Sequence, residues 1–478
     1  MELHVVIDGD RDLTGQLYRQ LRGAIRSGRL AAGEKLPPTR LLAERLGLSR
    51  KTVAEAYARL GYDKLLVGKV GSGSFVGTGL GPPPTQHPAA TIAGAAVLAR
   101  WSNMSSPLRL AGLDGTSRYE YMAGVPARNL FPHEVWRRCV HHALRQAAKS
   151  RGMYGQTEGL PQLRDAIARH VAFTRGVRST LDDIIVTTGA QQALDLVARV
   201  LLEPGCTVAV EEPGYPPARL LMAAQGAHVV GIPVDEEGMQ VDQIPDGTRL
   251  IYVTPSHQFP LGMVMSQARR EALLARAHAL GVIIIEDDYD GEFRYGGRPV
   301  ESLQSQDRHG SVAFIGSFSK NLSPELRLGY LIAPQAILKA VSTVKHLTDW
   351  HTSLPAQWAL AKFITDGELL KHIRHCHAEY TLRRERLTHR FATDLAPWFD
   401  LVPAHAGIHL AALCKVPMDM DLLARLARRV DVGVYALDVF YHFSPARPGL
   451  LLGFGEIASA DIDPSLDRLR DVLSQMTA

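Results

Sequence analysis

Ser317-Phe318-Ser319-Lys320-Asn321-Leu322-Ser323-Pro324-Glu325-Leu326-Arg327-Leu328-Gly329-Tyr330 is the stretch on which the reading of this chain turns. A lysine stands between small hydroxyl residues after the apolar run Val312 to Ile315, and an arginine follows. Those are the groups needed to hold pyridoxal 5'-phosphate (PLP). An amine condenses with the aldehyde as an internal aldimine, while hydroxyls and a guanidinium take the phosphate. Lys320 is the Schiff-base candidate, with Ser317 and Arg327 directed at phosphate. Ser-x-Ser-Lys also occurs on solvated loops, so the reading depends on companions elsewhere in the chain.

Three upstream fragments supply them. Thr188-Gly189-Ala190-Gln191-Gln192-Ala193-Leu194 joins a strand to a helix, so the backbone N–H groups of Ala190 and Gln191 are available to an anion at a helix N-terminus. Glu211-Glu212-Pro213-Gly214-Tyr215-Pro216 is a stiff loop after a strand, and Tyr215 can stack on a pyridine ring. Ile285-Glu286-Asp287-Asp288-Tyr289-Asp290 ends an apolar strand, where α/β sheets place their ligands. A carboxylate there can pair with a protonated pyridine nitrogen, and Tyr289 can bond the ring hydroxyl. The acidic run also has the composition of a divalent-metal site, but the neighbouring Ser-x-Ser-Lys has no use for a metal, and none is expected.

Around these motifs, helical and strand periodicities alternate from Leu163 to Ile285, and the strands are apolar throughout. That pattern predicts an α/β body with a mainly parallel sheet covered by helices on both faces. From about Pro334 the signal turns helical and then to shorter strands at His409 to Cys414 and Leu450 to Phe454, a smaller C-terminal α+β subdomain. The body is expected over residues 119–478. Before it, residues 77–118 carry Pro82-Pro83-Pro84 and scattered glycines and read as a linker, with a short Ala-rich helix between Ala89 and Trp101.

Residues 1–76 form a distinct head. Leu17, Leu21 and Ile25 repeat at helical spacing from about Thr14 to Ser27. A second helix follows Pro37-Pro38 with Thr39 as its expected cap, and a third runs from Arg50 to about Tyr62, capped by Ser49. Two short helices joined through Gly47 make a helix-turn-helix. The third helix opens on Ser49, Arg50, Lys51 and Thr52, suited to base edges and phosphates in a major groove, and Arg40 begins the helix that crosses the backbone. Leu65 to Val76 reads as a hairpin wing whose Gly71-Ser72-Gly73 tip lets backbone approach phosphate. On periodicity alone the head would also suit a helical protein-interaction module.

Charge favours the first reading. Residues 1–80 hold thirteen Lys/Arg against eight Asp/Glu, while the whole chain of 478 residues nets only +4. A basic head on a near-neutral body is built to meet a polyanion. The chain is too long for one core, has no apolar run of membrane-spanning length and opens without an export pattern, so a cytoplasmic protein away from the membrane is expected. Its four cysteines are scattered without metal-ligand spacing and read as buried free thiols.

Leu17-Tyr18-Arg19-Gln20-Leu21, Gly33-Glu34-Lys35-Leu36-Pro37-Pro38-Thr39-Arg40 and Gly71-Ser72-Gly73-Ser74-Phe75-Val76 resemble the GntR-type winged helix. The body fragments, with Thr254-Pro255-Ser256-His257-Gln258-Phe259-Pro260, resemble fold-type I aminotransferases and, more narrowly, the MocR/GabR regulators that fuse the two. By that resemblance Asp287 takes the pyridine nitrogen, Tyr289 the ring hydroxyl and Tyr215 the stacking face. His257 or Gln258 lies near the ring hydroxyl, and Arg447 grips a substrate or effector carboxylate. The sequence departs from the group at Leu261, where Thr or Ser is usual, and at Gly291, where Ser is common.

The resemblance implies a PLP-dependent transcriptional regulator. It would be a homodimer that meets double-stranded DNA at two half-sites and responds to PLP or a small amino compound. Two alternatives stay open beside it: a working aminotransferase with an accessory head, and a non-catalytic sensor of PLP itself.

Overall fold

The computed structural model describes residues 7, 9, 12–69, 73–77, 95–102, 104, 117–296 and 301–477. The chain divides into two compact units, Met1–Val97 and Leu98–Ala478.

In the first unit, α1 (Leu13–Arg26), α2 (Thr39–Leu46) and α3 (Arg50–Tyr62) are followed by the antiparallel pair β1 (Leu66–Lys69) and β2 (Gly73–Val76). Leu17, Leu21 and Ile25 of α1 meet Leu42 of α2 and Val53, Ala56 and Leu60 of α3 in one buried cluster. Ser49 caps α3, its hydroxyl accepting from the Thr52 N–H at 3.0 Å. The cap expected of Thr39 is not made. Pro38 occupies the N-cap and Thr39 is the first helical residue, so its backbone has already turned helical and its hydroxyl cannot reach the free N–H groups. Helix α4 (Ala95–Ser102) falls inside the Ala-rich segment; most of the expected linker, and the wing-tip residues Gly71 and Ser72, lie outside the described residues.

The second unit opens with β3 (Tyr119–Glu120), α5 (His133–Lys149) and α6 (Pro161–Arg175). Its large sheet is built from β4 (Ile184–Thr187), β5 (Thr207–Glu212), β6 (His228–Asp235), β7 (Gly238–Met239), β8 (Thr248–Val253), β9 (Ile283–Asp288), β10 (Val312–Ser317) and β11 (Gly329–Ile332). The order across the sheet is β4-β11-β10-β9-β8-β5-β6-β7. Pairings from β10 through β6 are parallel, whereas β11 runs antiparallel to both neighbours. Strands β4, β10, β9, β8 and β5 therefore end on one edge. Helices α7 (Ala190–Leu201), α8 (Pro216–Ala224), α9 (Gln267–Leu280) and α10 (Leu303–Gln306) complete this part. Strand residues such as Ile185, Val208, Leu250, Ile285 and Ile315 are fully buried, as expected for strands covered on both faces.

Helices α11 (Gln335–Asp349), α12 (Leu354–Thr365) and α13 (Glu368–Ala392) lead to an antiparallel sheet of β12 (Phe399–Leu401) and β13 (His409–Cys414), then α14 (Met420–Arg429) and β14 (Val432–Gly433). The sheet is completed by β15 (Tyr435–Ala436) and β16 (Gly449–Gly453) in the order β12-β13-β16-β15, and α15 (Ile462–Thr477) ends the chain. Strand β14 instead pairs in parallel with β3. No helix among the described residues is long and apolar enough to cross a membrane. All four cysteines are free, Cys139 and Cys376 buried, Cys206 and Cys414 half-buried.

Candidate functional site

The strand ends open on a cavity of about 990 Å³, lined by Lys320, Asp287, Tyr289, Tyr215, Ser317 and Arg327, and by Ala190 and Gln191. Four sequence fragments, whose cavity residues run from Ala190 to Arg327, thus meet at one sheet edge, because the parallel strands that carry them all end there.

Lys320 follows β10 in a tight turn. Burial holds its amine below the usual lysine range, against the opposing pull of Asp290 and Asp287. Gly124 passes close by with φ +76°, a backbone that favours glycine, and a Cβ there would stand 3.0 Å from Nζ, tighter than ordinary packing. Asp287 ends β9. Its Oδ2 accepts from the Tyr252 hydroxyl at 2.8 Å, whereas its Oδ1 is buried without a partner. Burial pushes this carboxyl up to about 7. An unpartnered carboxylate oxygen on the wall of a cavity that also holds the Lys320 amine suits a cationic N–H donor, and a protonated pyridine nitrogen is one. The residues present therefore fit PLP.

The phosphate end fits as well. Gly189 caps α7 at φ +78°, and a Cβ there would lie 2.9 Å from Nη2 of Arg327. Arg327 itself adopts left-handed backbone, φ +50°, and donates to the Thr188 carbonyl at 3.1 Å. The guanidinium is thereby brought against the N-terminus of a twelve-residue helix, where Ala190 and Gln191 present N–H groups. The Ser317 hydroxyl accepts from the Ser319 N–H at 3.1 Å, and Ser319 also lines the cavity.

Tyr289 lines the cavity, but its hydroxyl donates to the His257 carbonyl at 2.9 Å and lies 3.1 Å from His257 Nδ1. His257 stands behind it, buried and off the cavity wall, with Nδ1 3.0 Å from Asp290 Oδ1. Asp290 is likewise buried, and its Oδ2 also accepts from the Ile408 N–H at 3.2 Å. Asp290, His257 and His409 bring ligand-type atoms within 4.8 Å of one another. Hydrogen bonds already engage the trio: Asp290 holds His257, and His409 Nε2 donates to the Pro260 carbonyl at 3.1 Å. Gln258 is buried too, its amide donating to the Pro213 and Phe259 carbonyls.

Arg447 is not in the cavity. It sits exposed on the segment before β16, where the N–H groups of His442, Phe443 and Ser444 converge on Glu212 Oε1 at 2.7, 2.9 and 3.1 Å. The wall at that level is Leu451 of β16. Leu261 explains itself in the same apolar cluster, with Met263, Ala411, Leu437, Phe440 and Leu451. Gly291 has a reason too. A side chain there would collide with the Asp288 carboxylate and approach the Arg175 guanidinium, a buried ion pair at 2.6 Å. Sequence reasoning gave no role to Tyr252, Thr254, Phe259, His409, Arg425 or Arg428, all on the cavity wall. The apolar run of β8 marked Tyr252 only as a buried strand residue. The Phe259 ring meets Tyr215 edge-on at 5.6 Å.

In the head, Arg40, Ser49, Arg50 and Lys51 are exposed and Thr52 is half-buried at the start of α3. The Ser49 and Thr52 hydroxyls are 2.7 Å apart and so occupy each other. Among the described residues, Arg40, Arg50 and Lys51 make no side-chain hydrogen bond or ion pair and stand as exposed cationic donors. Gly73 begins β2 at φ +109°. Beyond the expected residues, Lys35 and Lys69 stand over the Phe75 ring at 5.8 and 5.2 Å, placing two further cations on the wing.

Residues 13–76 match the bacterial regulatory protein family gntR, and residues 127–448 match the aminotransferase class I and II family. The chain is 34% identical over 471 residues to the Rhizobium meliloti "Probable rhizopine catabolism regulatory protein MocR", covering 98% of this chain and 95% of that one. It is 31% identical to the pyridoxine biosynthesis transcriptional regulator PdxR of Corynebacterium glutamicum, over 92% of this chain and 91% of the relative. The kynurenine aminotransferase of Pyrococcus horikoshii, solved with PMP, superposes with a TM-score of 0.73 at 26% identity, over 80% of this chain and 97% of that one.

Proposed function

The chain belongs to the MocR/GabR group, GntR-type heads joined to bodies of the aminotransferase class I and II family, and from that premise we propose how its parts act as one regulator. It is a PLP-dependent, DNA-binding transcriptional regulator. Lys320 carries the cofactor covalently through Nζ, and occupancy of that site by an amino compound, or by the cofactor alone, changes how the heads engage DNA. When bound, PLP supplies an electrophilic aldehyde and an electron-withdrawing ring. Asp287 would pair with the protonated ring nitrogen, Tyr215 would stack on the ring, and Ala190, Gln191, Ser317, Ser319 and Arg327 would hold the phosphate. His257 and Gln258 act from behind the wall, setting Tyr289 and the loop around it. Residues 1–76, 77–118 and 119–478 serve as head, tether and sensor, the protein acting in the cytoplasm as a homodimer on two half-sites.

The observation that carries this is the presence of an unpartnered, buried Asp287 oxygen and the Lys320 amine in one cavity. The test is binding of the purified full chain to the duplex upstream of its own gene, titrated with salt, with and without PLP, against a scrambled duplex. Sequence-preferring binding that shifts with PLP, and loses the shift in Lys320→Ala, is expected. Binding that follows salt alone and is equal on both duplexes would overturn the proposal. Because Lys320, Asp287 and Tyr289 line the same cavity, a second reading is an active aminotransferase. Sustained keto-acid production at about 1 s⁻¹ or faster would favour it.

A further inference from the structure

The turn from β4 into α7 is fixed by three bonds. The Thr188 carbonyl accepts from Arg327 at 3.1 Å, the Thr188 N–H donates to Gln192 Oε1 at 2.7 Å, and the Gly189 carbonyl accepts from the Thr187 hydroxyl at 3.0 Å. Gln192 is held in its turn. Its Nε2 donates at 2.7 Å to Oδ2 of Asp349, the last residue of α11. Lys345, one turn earlier on α11, donates to both Asp349 oxygens at 2.9 and 3.1 Å and to the Thr352 hydroxyl at 3.2 Å. The Thr352 hydroxyl donates to the Val186 carbonyl at 3.2 Å, which closes the circuit on the strand leading to Thr188.

Helix stability does not account for this arrangement. A lysine four residues before an acid is the weaker order for such a pair, and an acid at the end of a helix opposes the dipole. The Lys345 side chain is fully buried, and a buried ammonium is costly unless its partners are fixed. The backbone just past Asp349 is strained as well. Trp350 has φ +61° and ψ −61°, in a γ-turn closed by the His351 N–H on the Asp349 carbonyl at 2.7 Å. Such a turn persists where its surroundings over-determine it, here through the bonds of Asp349 and the stacking of Trp350 on His346 at 5.3 Å.

We infer that Lys345, Asp349 and Gln192 form a strut that positions the cradle for a phosphate. None of the three lines the cavity, so they act through the Thr188–Gly189 turn. The inference rests on the phosphate reading of Arg327, Ala190 and Gln191. Gln192 fixes one face of the Thr188 backbone and Arg327 is drawn to the other, so the strut sets where the guanidinium stands relative to the first N–H groups of α7. A phosphate needs those donors to converge. An aldehyde and ring held by Lys320, Asp287 and Tyr215 do not.

The test compares PLP with pyridoxal, which has the same aldehyde and ring without the phosphate, on the full-length protein stripped of cofactor. Affinities are read from the absorbance each compound gives on binding. Wild type should prefer PLP. Gln192→Leu should cut that preference about tenfold and Lys345→Met about three- to tenfold, with pyridoxal affinity unchanged in both. Because Lys345 acts through Gln192, the double variant should lose no more than Gln192→Leu alone. Gln192→Leu leaves the Lys345–Asp349 pair whole, so it decides the matter where Lys345→Met fails to fold. Equal losses for PLP and pyridoxal mark the three residues as packing alone and overturn the inference. A preference lost in Arg327→Gln but kept in the strut variants overturns it while leaving the phosphate reading intact. A wild type that binds PLP no better than pyridoxal strikes at the phosphate reading and takes this inference with it. Absence of a band with either compound strikes at Lys320 and does the same.

Discussion

Replacing Asp287 with Asn should stabilise the cofactor-free protein while weakening its hold on PLP. Burial raises this carboxyl from 3.8 to about 7. A folded-state value above the unfolded one means that the folded protein keeps a proton the unfolded chain has lost. Stability from this group is therefore complete below about pH 4 and falls as pH rises to about 7. Above that, holding the ionised carboxylate costs up to about 4 kcal/mol. Asn can still accept from the Tyr252 hydroxyl, but it sets an NH₂ where Oδ1 has no partner, at a cost of about 1–3 kcal/mol. The net gain at pH 8 is about 1–3 kcal/mol, a rise of a few degrees in the melting midpoint of this large unit. Below pH 4 the gain should vanish. With PLP present the order should reverse, because losing the charge-assisted bond weakens affinity about 10- to 100-fold. Thermal melts of wild type and Asp287→Asn, stripped and reloaded, at pH 4, 6 and 8 decide the matter. If Asn lowers the midpoint of the stripped protein at pH 8 as much as that of the loaded one, Asp287 is a structural anchor and the argument from its unpartnered oxygen fails.

Asp290→Asn removes a negative charge that supports the protonated Lys320 amine, so the pH midpoint of the cofactor absorbance should fall by about 0.5–1 unit; an unmoved midpoint would sever Asp290 from the site. Gly291→Ser should disrupt the buried Arg175–Asp288 pair and cost about 3 kcal/mol, visible as an early melt, and a wild-type melting curve would show that the loop simply yields. Arg50→Ala should weaken DNA binding by about tenfold. A parallel loss on scrambled DNA with a salt slope smaller by about one assigns Arg50 to phosphate, whereas loss confined to the specific duplex assigns it to a base.

The local signals carried far in this chain. Ser317 to Arg327, Thr188 to Gln191 and Glu286 to Tyr289 were legible because each is a contiguous strand-end motif, and parallel strands bring such ends together. The α3 boundaries followed from the Ser49 cap and the spacing of Val53, Ala56 and Leu60. What could not be read was set by tertiary placement. Tyr252 looks like any core strand residue until β8 is laid beside β9, where its hydroxyl meets Asp287. Arg447 had the right position relative to an apolar strand, but cavity contact depends on which residues of β16 face inward, and Leu451 does. Arg425 and Arg428 lie on an amphipathic surface helix whose charges resemble solvated ones. Only the fold brings that helix to the cavity.

The start of the body has a mechanical consequence. Strand β3 pairs Tyr119 with Val432 and Glu120 with Gly433, and the Tyr121 carbonyl accepts from the Gly453 N–H at 2.8 Å. A few residues later, Ala123 and Gly124 form part of the cavity wall, with Gly124 against the Lys320 amine. Six positions separate Arg118 from Gly124, about 20 Å of extended chain at most. The first strand of the body is therefore tied off within one short span of the lysine. Anything that pushes Gly124 aside bears on backbone that β14 and β16 hold in place.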